Sequence, residues 1–181
     1  MTDEIDRGKL EDAAKLWLAH DGLWFLEVEQ AYGMEKAIEL DRNTWEKFTV
    51  IEAKRIMQRH NLPPNGGLES LKIALSLRMY AYINTQEIVE ETPTSLIFRM
   101  NECRIQTARQ RDGREPFPCQ QVGIVEYALF ASTIDPRIKT ECVLCPPDKK
   151  HPEYWCAWKF SLAKEEPNAK VVDTTELERR S

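Results

Sequence analysis

The sequence predicts an α+β fold in which N-terminal helices pack with an antiparallel sheet, in the order ααα-ββ-αα-ββ. Three observations lead there. Up to residue 83, apolar side chains recur at three- and four-residue spacings, the signature of helices with one buried face. From Gln86 onward the period changes, and four short segments read as strands. All five cysteines fall in this second part, between Cys103 and Cys156. A chain of 181 residues supports one well-buried core. Residues 1–163 therefore read as a single domain, helical over 1–83 and cysteine-bearing sheet over 84–163, with a flexible tail over 164–181 that is poor in apolar residues.

The first helix is predicted over 9–31, where Leu10, Ala13, Ala14, Trp17, Trp24, Phe25, Val28 and Ala31 recur at helical spacing and Gly33 supplies a stop. Asp21 falls on the same stripe as Trp17 and Trp24. A lone buried carboxylate is costly, so Asp21 either braces another segment or borders a polar cavity. His20 is its neighbour in sequence, although adjacent helical positions do not face each other. Gly22 in mid-helix costs about 1 kcal/mol relative to alanine, which predicts the close approach of another element or a ligand.

The second helix, over 34–60, carries Met34, Ala37, Ile38, Trp45, Phe48 and Ile56 on a stripe that also holds Asp41 and Glu52. Three acids on two neighbouring helices suit a polar pocket or a hard cation, but the Glu-x-x-His pair of di-iron bundles is missing. His60 suits the negative end of this helix. Pro63, Pro64, Gly66 and Gly67 break the chain, and a third helix is predicted over 68–83.

Two short strands, 87–91 and 95–101, form a hairpin about Thr92-Pro93-Thr94. Cys103 closes the second, and a short helix over 105–111 ends at Asp112-Gly113. Five arginines lie between Arg99 and Arg114. Arg104 or Arg109 could grip an anionic group by bidentate bonds; a solvated helix face is the plainer reading. Cys119 then opens a helix over 120–133. A helix N-terminus favours the thiolate, which makes Cys119 the candidate nucleophile or easily ionised ligand, the alternative being a small buried residue. Asp135-Pro136 leads to strands over 137–144 and 154–162. Tyr154, Cys156, Trp158, Phe160 and Leu162 share one face of the latter, Ile138, Cys142 and Leu144 one face of the former, so pairing would bring Cys142 and Cys156 to the same side.

Charge and composition narrow the function classes. Hydrophobic residues make up 42% and charged residues 30%, and a net charge of −5 gives no general reason to bind nucleic acid or an anionic membrane. The acidic start is unlike a secretory signal, and no apolar run reaches membrane-spanning length. A cytoplasmic protein is expected, where an odd number of cysteines reads as thiols or ligands more readily than as disulfides. A homo-oligomer is compatible with these features.

Three roles stay open for the cysteines. Zinc could take Cys142, Cys145 and Cys156 with His151 or an upstream cysteine, and an iron–sulfur cluster could be completed by Cys103 and Cys119. The Cys142-x-x-Cys145 pair could act as a thiol–disulfide couple, although it follows a strand instead of opening a helix. Alternatively, several of the thiols simply pack in the core.

A resemblance adds to this reading. Ala19-His20-Asp21-Gly22-Leu23-Trp24-Phe25, Ala37-Ile38-Glu39-Leu40-Asp41, Phe117-Pro118-Cys119, Phe130-Ala131, Ile134-Asp135-Pro136-Arg137-Ile138, Cys145-Pro146-Pro147-Asp148 and Trp155-Cys156-x-Trp158-x-Phe160 together resemble an uncharacterised family of bacterial cytosolic proteins, through about Leu162. That family is similar, more distantly, to the L-2-amino-thiazoline-4-carboxylic acid hydrolase-like proteins. The last half also resembles the vinyl reductase domain that binds small ligands. The resemblance implies an α+β fold with a ligand pocket against an antiparallel sheet.

The expected function is binding of a small ligand or metal in a cysteine-lined pocket between helices and sheet, with Trp24, Asp41, Arg104 and Arg109 as ligand contacts. The alternative is a hydrolase opening a small cyclic amide or amidine. There Cys119 or a metal-bound water attacks, Asp21 assists, and His20 or His151 is the base. A structural or partner-binding protein with packed cysteines is the third reading.

Overall fold

A computed structural model describes residues 2–149, 151 and 153–163. The helices are α1 (Thr2–Tyr32), α2 (Met34–His60), α3 (Gly67–Ser76), α4 (Arg104–Arg111) and α5 (Gln120–Ile134), with a turn of 3-10 helix at Met79–Tyr82. The strands are β1 (Thr85–Thr92), β2 (Ser95–Glu102), β3 (Ile138–Leu144) and β4 (Cys156–Leu162). They form one antiparallel sheet in the order β1-β2-β4-β3. The fold is α+β, as the sequence predicts. The tail expected over 164–181 lies outside the described residues.

Local chemistry explains the breaks. Gly33, at φ 84°, separates α1 from α2 with a backbone that side chains disfavour. Asn61 ends α2 in the left-handed region, its N–H returning to Met57 O. The single helix expected over 68–83 is instead two pieces, because Arg78 is extended, with ψ 153°. Periodicity did not reveal this break. Arg78 leaves the helical path to carry its guanidinium inward, where it meets Glu52 and Glu126. Asp135, 0% exposed, receives the N–H groups of Gly67 and Arg137 at 3.0 Å each, and so ties the start of α3 to the turn before β3.

The main core lies between the inner face of the sheet and α5, with α2 and α3 alongside. Phe98, Trp158 and Cys142 stand side by side across β2, β4 and β3, and Leu96 and Phe160 form the next row. A Cβ on Gly123 would lie 2.7 Å from Trp158 Cζ2, so the missing side chain lets α5 rest on the indole. A second cluster joins Trp17 and Leu18 of α1 to Trp45, Tyr80, Phe117 and Val122. Here Trp45 stacks on Tyr80 at 5.7 Å and Trp17 on Phe48 at 5.7 Å.

Two expectations about faces need correction. A register shift between Cys142 and Leu144 places Leu144 opposite Ala157, so it leaves the face shared by Ile138 and Cys142. On α1 the buried side runs through Ala14 and Leu18, while Trp24 is 65% exposed. At about 100° per residue, Trp24 lies just over a quarter turn from the centre of that side.

Candidate functional site

A pocket of about 430 Å³ opens between α1, α2, α4, α5 and the inner face of the sheet. Its walls are largely apolar and aromatic, with Phe25, Trp45, Tyr80, Met100, Phe117, Tyr127 and Trp158 among them. One side carries Asp21, Asp41 and Glu126; another carries Cys103, Cys119, Cys145 and Cys156. Residues far apart in sequence meet because the long α1–α2 hairpin lays its acids against α5, while the N-termini of α4 and α5 and the facing ends of β3 and β4 deliver the thiols.

The acids occupy three different situations. Burial raises the Asp21 carboxyl above its ordinary range, with His20 pulling it back. Asp41 is pushed up to about 7 by burial and by the nearby Asp21 and Glu126, while a hydrogen bond from Trp45 works the other way. Glu126 is also raised by burial, against the pull of Arg78. Arg78 is 2% exposed and bridges Glu52 at 2.9 Å and Glu126 at 2.7 Å, with its guanidinium 4.7 Å from the Phe130 ring centre. Burial opposes its charge, but the two carboxylates outweigh that and keep it protonated. Glu52 and Glu126 thus have a cation between them, whereas Asp21 and Asp41 face the open space.

The thiols are graded too. Cys103 is the N-cap residue of α4, and burial pushes it up to about 12 despite the N–H groups of Gln106 and Ile105. Cys119 is the N-cap residue of α5. Its Sγ lies 3.5 Å from Cys145 Sγ and 3.6 Å from the Gln106 side-chain nitrogen. Cys145 is pushed far up by its sulfur neighbours Cys119 and Cys156, with burial adding to this. Cys142 is raised mainly by burial and accepts from the Gln120 amide at 3.6 Å; it stands outside the pocket lining.

Several expected contacts take other positions. His20 is exposed and does not line the pocket, since its side chain points a helical step away from Asp21. Trp24 lies on the same outer side. His151 stacks on Tyr154 at 4.3 Å, and its Nδ1 accepts from the Glu153 N–H at 3.2 Å, so it does not join the cysteines. Arg109 grips Glu29 of α1 with two bonds, of 2.7 and 3.0 Å, and donates to Glu115 O. Its fork fastens α4 across α1 at the wall of the pocket. Arg104, exposed, lines the mouth. Among the described residues no group of three or more His, Cys, Asp or Glu side chains is set to hold a metal ion.

Arg78, Glu126 and Tyr80 were missed by sequence reasoning. One signal pointed to them: Glu52 on an apolar stripe demands a buried cation, and Arg78 sits between Leu77 and Met79. The indole N–H of Trp158 is a further feature visible only in three dimensions. The residue is 0% exposed and borders the pocket, and the nitrogen has no hydrogen-bond partner among the described residues.

No helix among the described residues is long and apolar enough to cross a membrane. Residues 3–162 match the model of a family described as "Family of unknown function (DUF6125)". No curated protein matches the chain.

Proposed function

We propose that this chain, which belongs to the DUF6125 family of unknown function, is a cytoplasmic protein that binds a small, mostly apolar ligand in the pocket between its helices and sheet. The observation that carries the reading is the pocket itself. Its volume suits a small molecule, its walls are aromatic, and few polar groups converge on it, the usual makeup of a ligand site. Two of those groups are poorly served by the protein: the Trp158 N–H has no partner among the described residues, and the Asp41 carboxyl, although it accepts a hydrogen bond from Trp45, is raised to about 7. A ligand acceptor atom would satisfy the first, and a ligand donor or cationic group would lower the second.

Gly22 supports the same reading. The close approach expected there is not made by the described residues, none of which a Cβ at Gly22 would meet within 4 Å, and the residue borders the pocket. The hydrolytic reading, with Cys119 as nucleophile, is less well served because neither His20 nor His151 lines the pocket. The zinc and iron–sulfur readings find no ready donor set among the described residues.

The test is a panel of small aromatic acids, amines and amides, screened by thermal shift against the unaltered chain and a Gly22→Trp variant. Binding that raises the melting temperature of the first and not of the second is the expected result. Equal shifts in both, or none in either across the panel, would remove the pocket as the binding site.

A further inference from the structure

At the floor of the pocket two thiols touch. Cys119 Sγ and Cys145 Sγ are 3.5 Å apart, and both residues line the cavity. Their backbones are fastened to each other. The Gln120 N–H donates to Pro146 O at 2.9 Å, and the Asp148 carboxylate accepts from the Cys145 N–H at 3.3 Å and from the Gln120 amide at 3.2 Å. Cys119 stands at the N-terminus of α5, and the buried Gln106 amide approaches its sulfur at 3.6 Å. Cys145 is 1% exposed, borders the pocket and has Cys156 as a second sulfur neighbour. This is not the Cys-x-x-Cys couple anticipated from sequence, because Cys142 is turned to Gln120 and lies outside the lining.

We propose that Cys119 and Cys145 form a dithiol–disulfide couple that a peroxide entering the pocket oxidises. In the first step the Cys119 thiolate attacks one peroxide oxygen. An S–O bond forms and the O–O bond breaks, and the departing hydroxide takes the proton given up by the thiol, leaving Cys119 as a sulfenic acid. In the second step the Cys145 sulfur attacks the Cys119 sulfur. The S–S bond forms, the S–O bond breaks, and the hydroxide leaves as water with the Cys145 proton. The two thiols lose two electrons, and hydrogen peroxide becomes two waters. Reaching an S–S bond of about 2.05 Å requires the sulfurs to close by roughly 1.5 Å, within the reach of small side-chain rotations. The couple stands independently of the ligand proposed above.

The full chain, isolated without oxygen, is treated with one equivalent of hydrogen peroxide, alkylated, digested and mapped by mass spectrometry. The expected product is a linked peptide pair carrying Cys119 and Cys145, lighter by two hydrogens and returned to free thiols by dithiothreitol. Cys119→Ser abolishes the link, and Cys103→Ser leaves it. The proposal is overturned by a Cys145–Cys156 link in its place, or by oxidation that stops at a Cys119 sulfenic acid without a link. It is equally overturned if the isolated chain holds stoichiometric zinc or iron on these thiols and none of them reacts. Should Cys119→Ser fail to fold, the linkage map of the unaltered chain decides alone.

Discussion

Gly22 and Asp41 both carry a local cost on the wall of one pocket. Gly22 lies inside a long helix, and a Cβ there meets no atom of the described residues within 4 Å. Gly22→Ala should therefore stabilise the chain by about 0.5–1 kcal/mol, through helix propensity and a less flexible unfolded state, as measured by urea denaturation. Asp41 has its carboxyl raised from 3.8 to about 7 in the folded protein. A raised acid holds its proton more tightly when folded, so its contribution is fully present below about pH 4 and is lost as the pH rises through about 7. Asp41→Asn should then leave stability unchanged near pH 4 and raise it by roughly 2 kcal/mol above pH 7, less than the whole shift would carry because Asp41 is only partly buried. Thermal denaturation of both forms across that range checks the sign; a gain confined to acid pH would contradict the assignment.

Among the elements, the short extended break at Arg78 has the widest reach. It carries one guanidinium to Glu52 of α2 and Glu126 of α5, and it borders the aromatic rings of both clusters. Arg78→Met should cost about 3–5 kcal/mol, since two buried carboxylates lose their cation, and adding Glu52→Gln and Glu126→Gln should recover much of the loss. Denaturant midpoints of the single and triple variants measure both. Element boundaries were mostly legible in the sequence: α2 over 34–60 and the hairpin about Thr92–Ser95 follow from period and turn residues. The break at Arg78 was not, because Leu71, Leu75, Met79 and Tyr82 keep helical spacing across it. An ion pair with residues 26 and 48 positions away overrides that local pattern.

At the scale of the molecule, α5 is shared by both hydrophobic clusters. Val122 belongs to the one against α1 and α2, while Phe130 and Ala131 belong to the one against the sheet. The helical and cysteine-bearing parts should therefore unfold together. Near-ultraviolet signals, dominated by the tryptophans of both clusters, and far-ultraviolet helix signals should give coincident urea transitions; separated midpoints would split the chain into two units.

The α+β class, nearly all element positions and the concentration of acids and thiols were legible in the sequence, because these rest on local period, turn residues and composition. The sequence also marked Asp21, Asp41, Gly22 and Cys119 as residues whose local cost or placement called for an explanation. Which of them face one cavity depends on how the elements pack in three dimensions. Helical periodicity ranks sides without fixing which side packs, so Trp24 and His20 turned outward while Ala14 and Leu18 turned in. The bulge in β3 reset the side of Leu144, and the packing of α5 on β4 brought Cys119 against Cys145 instead of Cys142. Those choices depend on contacts between residues distant in sequence, whose energies no local pattern records.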